Sequence, residues 1–328
     1  MSAETPAVSV VLIAPGHHAS INATLARLKA QTIHDQIELV LATTSRERLA
    51  LPDCVADGFW GLQVMEVGPI HSSARARAAA VRVARAPVVA FAEDHSRPAP
   101  DWAEALLSAY AGPRAAVGPA VGNGNPNSLW SWANLLIDYA PWLHPTPGGP
   151  AEHLPGHNGS YRRDVLLSLG PRLEELLEAE SILHWELRSA GHELYIEPRA
   201  RTDHLNYVRL ADTILLRFGV GRAFAAARAA DWPRARRLVY AASAPLIPLI
   251  RLRRALAELR LPGRPRHLLP RVLPLLCLGL AIDAAGQLVG YAAGPGNSIR
   301  HNTQMEFDAE RRVGRRVGRA DARRLGGV

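Results

Sequence analysis

The chain has 328 residues, of which 48% are hydrophobic and 21% are charged, and its formal net charge is +8. This composition excludes an intrinsically disordered protein, and the length suits one large domain or two small ones. The charge is unevenly distributed, because residues 1–208 carry 16 basic and 22 acidic side chains whereas residues 209–328 carry 22 and 8. The two halves are therefore expected to face different partners.

The two cysteines, Cys54 and Cys277, lie far apart in the sequence. They form neither a disulfide framework nor a metal-binding spacing, which is typical of a protein from a reducing compartment. No basic segment precedes the first apolar run and no small-residue cleavage site follows it, so a signal peptide is not expected.

The N-terminal half alternates between buried strands and amphipathic helices. The pattern predicts strands over residues 8–14, 37–42 and 88–92, a helix that is capped by Ser20 or Asn22, and a helix over residues 75–86. This alternation is typical of an α/β fold with a mostly parallel sheet, in which ligands bind at the carboxyl ends of the strands. Glu93, Asp94 and His95 directly follow the last of these strands.

The middle of the chain has a different amino-acid composition. Residues 118–150 are rich in Gly, Pro, Asn and Trp, and we interpret them as loops and short elements that shape a pocket. A single helix is predicted over residues 173–190 and ends at Gly191, and a short strand is predicted over residues 195–198.

From about residue 210 the chain is rich in arginine and is expected to be helical. The apolar stretch 238–250 is too short to span a bilayer. The longer stretch 272–299 contains Asp283, and a charge at the bilayer centre costs about 2.5 to 3.5 kcal/mol. Because arginines flank both stretches, we expect an interfacial or re-entrant anchor on an anionic membrane leaflet. Residues 301–328 are expected to form a basic, flexible tail.

Glu93, Asp94 and His95 combine carboxylates and an imidazole after a buried strand. These ligand types suit Mn²⁺ and also tolerate Mg²⁺. Such an ion, bridging a diphosphate, would act as a Lewis acid toward a departing nucleoside diphosphate. The same three residues by themselves are also compatible with a solvated turn or a helix cap.

Four segments occur in a characteristic order: VSVVLIA from Val8, the run from Ala74 to Trp102, GHNGSYRRDVLLSLG from Gly156, and the run from Glu178 to His204. Together they resemble the family-2 glycosyltransferases, which are inverting enzymes of GT-A fold. The resemblance implies an α/β, Rossmann-like GT-A domain over residues 1–208, with a mostly parallel sheet flanked by helices. A helical membrane-associating segment over residues 209–300 is expected to follow it.

The resemblance also implies which residues do the chemistry. Glu93 and His95 fall on the first and last positions of the family's DXD metal motif, and Asp94 lies between them toward the diphosphate. Glu180 falls on the position of the family's general base, whose carboxylate deprotonates the acceptor hydroxyl. His204 falls where many members place a histidine near the diphosphate, which suggests a third metal ligand.

Five further residues are predicted to contact the nucleotide sugar, namely Pro15, Thr43, Arg77, His157 and Asn158. Thr43 stands where the family has a carboxylate near the base. Arg77 is interpreted as a phosphate or ribose contact, with an arginine on the helix surface as the alternative. His157 and Asn158 either line a sugar site or cap the following helix.

His184 lies one helical turn after Glu180. It is expected either to orient this carboxylate or, as the favoured alternative, to be solvated on the helix surface.

The function implied is the transfer of a hexose, with inversion, from a nucleotide-diphosphate sugar to an acceptor hydroxyl, assisted by Mn²⁺ or Mg²⁺. The anchor and the basic tail suggest a lipid-linked or polysaccharide acceptor at the cytoplasmic face of a bacterial-type cell membrane. The altered metal motif also fits a catalytically degenerate GT-A scaffold or sugar-binding protein. No nucleic-acid partner is expected, because the arginines border apolar, proline-containing segments.

Overall fold

The computed structural model describes residues 4–308 and 311–312. The chain divides into two compact units, of which unit 1 comprises residues 1–122 and 142–203 and unit 2 comprises residues 123–141 and 204–328. The domain boundary predicted at residue 208 stays a prediction. Most of the predicted tail, residues 313–328, lies outside the described residues.

The described residues form one nine-stranded mixed sheet. Its strands are β1 (Val8–Ala14), β2 (Ile37–Thr43), β3 (Gly61–Glu66), β4 (Val88–Ala92), β5 (Ser96–Pro98), β6 (Arg114–Asn123), β7 (Gly149–Pro150), β8 (Ser160–Arg162) and β9 (Glu193–His204). The strand order is β3-β2-β1-β4-β8-β6-β9-β5, with β7 paired to β9. The first four strands in this order run parallel to one another, and β8 is antiparallel to both β4 and β6.

Helices of unit 1 are α1 (Asn22–Lys29), α2 (Arg46–Leu49), α3 (Ser73–Val83), α4 (Trp102–Ser108), α6 (Arg163–Ser168), α7 (Leu173–Glu178) and α8 (Glu180–Ser189). Helices of unit 2 are α5 (Leu129–Tyr139), α9 (Leu210–Arg228), α10 (Arg234–Ser243), α11 (Ile247–Leu259), α12 (Leu269–Ala293) and α13 (Ser298–Glu306).

The core of unit 1 lies on both faces of the parallel strands. Successive side chains of a strand point to opposite faces, so Val10 and Leu12 pack against α1 and α4. Val11 points the other way, into a cluster with Phe91 that is covered by α3, α7 and α8. Because both faces are covered, β1 and β2 are apolar along nearly their whole length. The predicted α/β fold, with helices on both sides of a largely parallel sheet, is confirmed.

Two sequence-based interpretations of secondary structure are wrong. Residues 118–150 are not mainly loops, because β6 buries its alanines and valines in the sheet and α5 follows it. The helix predicted over residues 173–190 is two helices, because Ala179 is extended, with φ −141° and ψ 85°. No glycine or proline marks this break in the sequence, and it makes Glu180 the first residue of α8.

Unit 2 is built around α9 and α12, which pack together along most of their length. At Gly221, Gly286 and Gly290 an added Cβ would collide with a backbone carbonyl of the facing helix. Asp283, in the middle of α12, is buried, and its Oδ1 lies 2.8 Å from Arg251 Nη1. The charge that counted against a simple membrane span is thus neutralised inside unit 2.

Among the described residues, one helical stretch, Arg266–Ala293, is long and apolar enough to cross a membrane. Of its most apolar 18-residue window, 44% is buried inside the protein. Length and composition alone do not distinguish a spanning helix from the core helix of a soluble unit.

Candidate active site

The turn that follows β4 is held firmly against α1. The hydroxyl of Thr24 donates a hydrogen bond of 2.9 Å to the carbonyl of Glu93. The amide of Ser96 donates to the same carbonyl at 3.3 Å, which closes the turn. Glu93 and His95 are therefore presented at the carboxyl end of a central parallel strand, as the sequence predicts.

The imidazole of His95 is oriented by its neighbour in sequence. Its Nδ1 lies 2.6 Å from Asp94 Oδ1, and its Nε2 lies 3.4 Å from Glu93 Oε1. With Nδ1–H donating to Asp94, Nε2 is the ring nitrogen that carries the lone pair. A carboxylate that fixes the ring in this way is the usual partner of a metal-binding histidine.

Glu93 is buried, and its two carboxylate oxygens have different partners. Asn158 Nδ2 donates to Oε2 at 2.9 Å, and His157 Nδ1 lies 3.1 Å from Oε1. Asn158 has a left-handed backbone, with φ +65°, which asparagine tolerates better than most residues. This backbone turns the amide toward the carboxylate.

These donor groups fit a divalent cation. Oxygen ligands bind Mg²⁺ at about 2.0–2.1 Å, so neighbouring ligands of one ion lie roughly 3 Å apart. Glu93 Oε1 lies 3.4 Å from His95 Nε2, which is close to this spacing. The mixture of carboxylate and imidazole suits Mn²⁺ best and tolerates Mg²⁺.

Glu180 lies at the N-terminus of α8, where the helix dipole favours a negative charge. Its Oε1 accepts a hydrogen bond of 3.0 Å from Nη1 of Arg77, which is buried on α3. Burial alone would raise the pKa of the Glu180 carboxyl, but the positive charges of His157 and Arg77 outweigh burial and lower it. Glu180 is therefore ionised at neutral pH and able to accept a proton.

Arg77 connects the two carboxylates of the site. Its Nη2 lies 2.8 Å from His157 Nδ1, and this nitrogen also approaches Glu93. A continuous network thus runs from Glu93 through His157 and Arg77 to Glu180. The structure brings together seven of the residues predicted from the sequence: Arg77, Glu93, Asp94, His95, His157, Asn158 and Glu180.

Gly156 is a further residue of this site, for which the sequence analysis predicts no role. A Cβ at Gly156 would lie 2.7 Å from Glu180 Cδ and 2.9 Å from both Cβ and Cγ of the same side chain. The carboxylate therefore occupies the space that any other residue at position 156 would fill. The sequence contained a signal for it, because this glycine opens the segment that resembles the family.

Two other predicted site residues, Pro15 and Thr43, lie at the carboxyl ends of β1 and β2. Thr43 is fully buried, and its hydroxyl donates to the carbonyl of Ser45 at 3.2 Å. The carbonyl of Pro15 accepts a hydrogen bond of 3.0 Å from the hydroxyl of Thr44. These bonds order the loops that follow β1 and β2. Contact of Pro15 and Thr43 with a nucleotide stays a prediction.

His204 is the last residue of β9 and belongs to unit 2. Its Nδ1 lies 2.9 Å from Asn206 Oδ1, and its ring centroid lies 4.9 Å from that of Tyr139. Its assignment as a third metal ligand stays a prediction.

His184 is buried, so the favoured expectation that it is solvated is wrong. Its Nδ1 accepts a hydrogen bond of 3.5 Å from the amide of Leu154, and its Nε2 lies 2.9 Å from the hydroxyl of Tyr161. Burial lowers the pKa of His184 to about 3, against the opposing charge of Glu180. The imidazole is neutral and fixes α8 against Tyr161 of β8, which a helix-surface pattern does not reveal.

This buried imidazole makes the stability of the protein sensitive to acid. Unfolded His184 binds a proton below its ordinary pKa of 6.5, whereas the folded residue does not until about pH 3. The contribution of the neutral His184 imidazole to the free energy of unfolding is therefore fully present above pH 6.5 and is lost as the pH falls toward 3. The loss is about 2 kcal/mol at pH 5. Urea unfolding at pH 7.5 and pH 5 is expected to show this additional loss for the wild type and not for His184→Gln. The exposed His71, replaced as His71→Gln, serves as the control. An equal loss in all three proteins would contradict the assignment.

Comparison with known proteins identifies one family model that matches about half of the chain. Residues 9–170 match the family model described as "Glycosyl transferase family 2". A solved structure, described as the mannosyltransferase PcManGT from Pyrobaculum calidifontis in complex with GDP-Man and Mn²⁺, is similar to this chain with 16% sequence identity and a TM-score of 0.49. The match covers 94% of this chain and 89% of that one. No curated protein matches the chain.

The family match includes the strand-end turn with Glu93 and His95 and the loop with Gly156, His157 and Asn158. The helix-flanked, mostly parallel sheet around these residues is that of the GT-A fold. Residues 9–170 are therefore similar to the family 2 glycosyltransferases, and the sheet around them has a GT-A-like fold.

Proposed function

We propose that this protein is a metal-dependent, inverting glycosyltransferase that moves a hexose from a nucleotide-diphosphate sugar to an acceptor hydroxyl. The observation that carries the proposal is the network in which an ionised carboxylate, Glu180, is joined through Arg77 and His157 to the Glu93 carboxylate. A base and a cation site at opposite ends of one polar network are the two parts that such a transfer requires.

At the donor end, Glu93 and His95 are the side chains that would hold Mn²⁺ or Mg²⁺, and His157 links Glu93 to Arg77. Asp94 orients His95 from the far side of the ring. When bound, the ion supplies positive charge that stabilises the departing nucleoside diphosphate. Asn158 and the turn hydrogen bonds keep Glu93 in place without a ligand, so the site is preorganised.

At the acceptor end, Glu180 takes the proton of the attacking hydroxyl. The acceptor oxygen forms a bond to the anomeric carbon as the bond from that carbon to the diphosphate oxygen breaks, and attack from the opposite face inverts the anomeric centre. The electron pair of the broken bond leaves with the nucleoside diphosphate. Arg77 holds the Glu180 carboxylate ionised and fixes its direction.

The proposed acceptor is lipid-linked or a growing polysaccharide at the cytoplasmic face of the cell membrane. The arginine excess of residues 209–328 and the exposed apolar side chains of unit 2 support this placement.

The donor site is tested by thermal unfolding in the presence of UDP, GDP and their sugar conjugates, each with Mn²⁺ and with EDTA. A ligand at about a hundred times its dissociation constant adds about 2.7 kcal/mol of stability, which raises the Tm by roughly 5–10 °C. We expect such a rise with one nucleotide, only with the metal, and its loss in His95→Ala. The exposed His71, replaced as His71→Ala, is the control and should retain it. The absence of any metal-dependent rise would favour a scaffold without catalysis.

A further inference from the structure

Unit 2 exposes an unusual amount of apolar surface. Of the thirteen large apolar side chains that are exposed among the described residues, twelve belong to unit 2. Five of them lie between residues 238 and 250 and are 51–66% exposed: Leu238, Val239, Leu246, Leu249 and Ile250. We call residues 238–250 the apolar segment; it comprises the second half of α10, the turn that follows and the first turn of α11.

The helices of this segment bury small side chains and expose large apolar ones, which is the reverse of the usual arrangement in a soluble protein. In α10 the buried residue is Ala241, whereas Leu238 and Val239 point to solvent. In α11 the buried residues are Ala255 and Leu259, whereas the first turn exposes Leu249 and Ile250. An ordinary surface helix directs its large apolar side chains inward. Side chains arranged in this way therefore indicate that something apolar covers them.

Arginines bracket the apolar segment at both ends. Arg234 and Arg236 are exposed before it, and Arg253 and Arg254 are exposed after it. Residues 234–271 contain ten arginines and a single acidic residue, Glu258. An apolar patch with a rim of one sign of charge is complementary to the acyl chains and phosphate head groups of an anionic bilayer.

The helix that is long enough to cross a bilayer, α12, is packed inside unit 2 and is not exposed as the apolar segment is. Ten of the 25 residues of α12 are buried, among them Asp283 and Gln287, which are hydrogen-bonded to each other at 2.7 Å. Arg251, from the start of α11, pairs with Asp283. A helix with its polar side chains satisfied by neighbouring helices serves as the core of unit 2. The 10 and 13 residues of α10 and α11 correspond to roughly 15 and 20 Å, too short to cross a hydrocarbon core of about 30 Å.

We propose that the apolar segment inserts into one leaflet of an anionic membrane, with the flanking arginines on the head groups, and that α12 does not cross the bilayer. The inference rests on the membrane placement in the proposed function and is independent of the sugar chemistry. It names the surface and the lipid chemistry through which unit 2 is held at the membrane.

The test is cosedimentation of the full-length protein with vesicles of phosphatidylcholine alone and with vesicles in which about a third of the lipid is phosphatidylglycerol. We expect at least ten-fold tighter binding to the anionic vesicles, and release by molar salt. The double variant Leu246→Asp/Leu249→Asp is expected to bind the anionic vesicles at least ten-fold more weakly. Arg253→Glu/Arg254→Glu is expected to lose most of the preference for anionic lipid. Val83→Asp alters the one exposed large apolar side chain of unit 1 among the described residues, and should bind as the wild type does.

Three results would overturn the inference. The first is unchanged vesicle binding by the leucine variant while its circular dichroism remains that of the wild type. The second is retention of the wild type on vesicles through molar salt and alkaline carbonate, as expected of a spanning α12. The third is conversion of a dimer to a monomer by the leucine substitutions with lipid binding unchanged, which would make the segment a contact between copies. Lipid binding as described in a protein that binds no nucleotide would instead count against the proposed function and leave this inference intact.

Discussion

The Glu180→Gln variant is expected to bind a nucleotide sugar as tightly as the wild type and to transfer the sugar about 10²–10⁴-fold more slowly. Glutamine has nearly the shape of glutamate, and its side-chain oxygen still accepts the hydrogen bond that Arg77 donates. It does not accept the proton of the acceptor hydroxyl. The loss should therefore fall on kcat, measured at saturating donor, and not on the nucleotide-induced rise in Tm.

The pH dependence gives a second check on Glu180. A general base acts when it is deprotonated, so activity is present above its pKa and lost as the pH falls through it. Because the pKa of Glu180 lies below the ordinary value of 4.5, this residue should impose no loss between pH 5 and pH 8. The exposed Glu175 on α7 provides the matched control, as Glu175→Gln. Full activity of Glu180→Gln would move the base to another residue.

Gly156→Ala is expected to lower kcat by about 10²-fold with little change in stability. Gly156 does not have a left-handed backbone, so alanine is compatible with its local conformation. The new methyl group would, however, lie 2.7 Å from Glu180 Cδ, so the carboxylate must move. Displacement of a catalytic group by about 1 Å costs on the order of 10²-fold in rate.

Gly61 on β3 provides the control for this variant, because an added Cβ there meets nothing within 4 Å. Both alanine variants should retain the metal-dependent rise in Tm with nucleotide. A Gly156→Ala enzyme with wild-type kcat would show that the position of Glu180 does not limit transfer. A large loss of stability in this variant alone would show that the crowding is relieved by unfolding of the loop and not by movement of the carboxylate.

The sequence pattern is sufficient to predict the strands that position the site. β1, β2 and β4 are short β-branched apolar runs with covered faces, and their pattern predicts them nearly to the residue. The turn after β4 is predicted as well, because the apolar run ends where Glu93, Asp94 and His95 begin. The position of Glu180 came from the resemblance to a family and not from any local pattern.

The remaining features of the site depend on tertiary contacts that no local pattern contains. The break between α7 and α8 occurs at Ala179, a residue that ordinarily favours helix continuation. Arg77 and Glu180 are 103 residues apart, and neither sequence neighbourhood specifies that they pair. His184 has the same spacing whether it is solvated or buried, and Tyr161, 23 residues away, decides between the two. Long-range packing overrides local preference at each of these positions.

The glycine contacts between α9 and α12 explain how unit 2 can keep its structure both in water and at a lipid surface. At Gly221, Gly286 and Gly290 the two helices touch backbone to backbone, so their attraction comes from close atomic contact. Attraction of this kind does not require water to be expelled, and small-residue helix pairs of this type also form where the solvent is hydrocarbon. The internal structure of unit 2 is thus expected to be the same in aqueous solution and at a lipid surface, and the protein can exchange between the two environments without refolding.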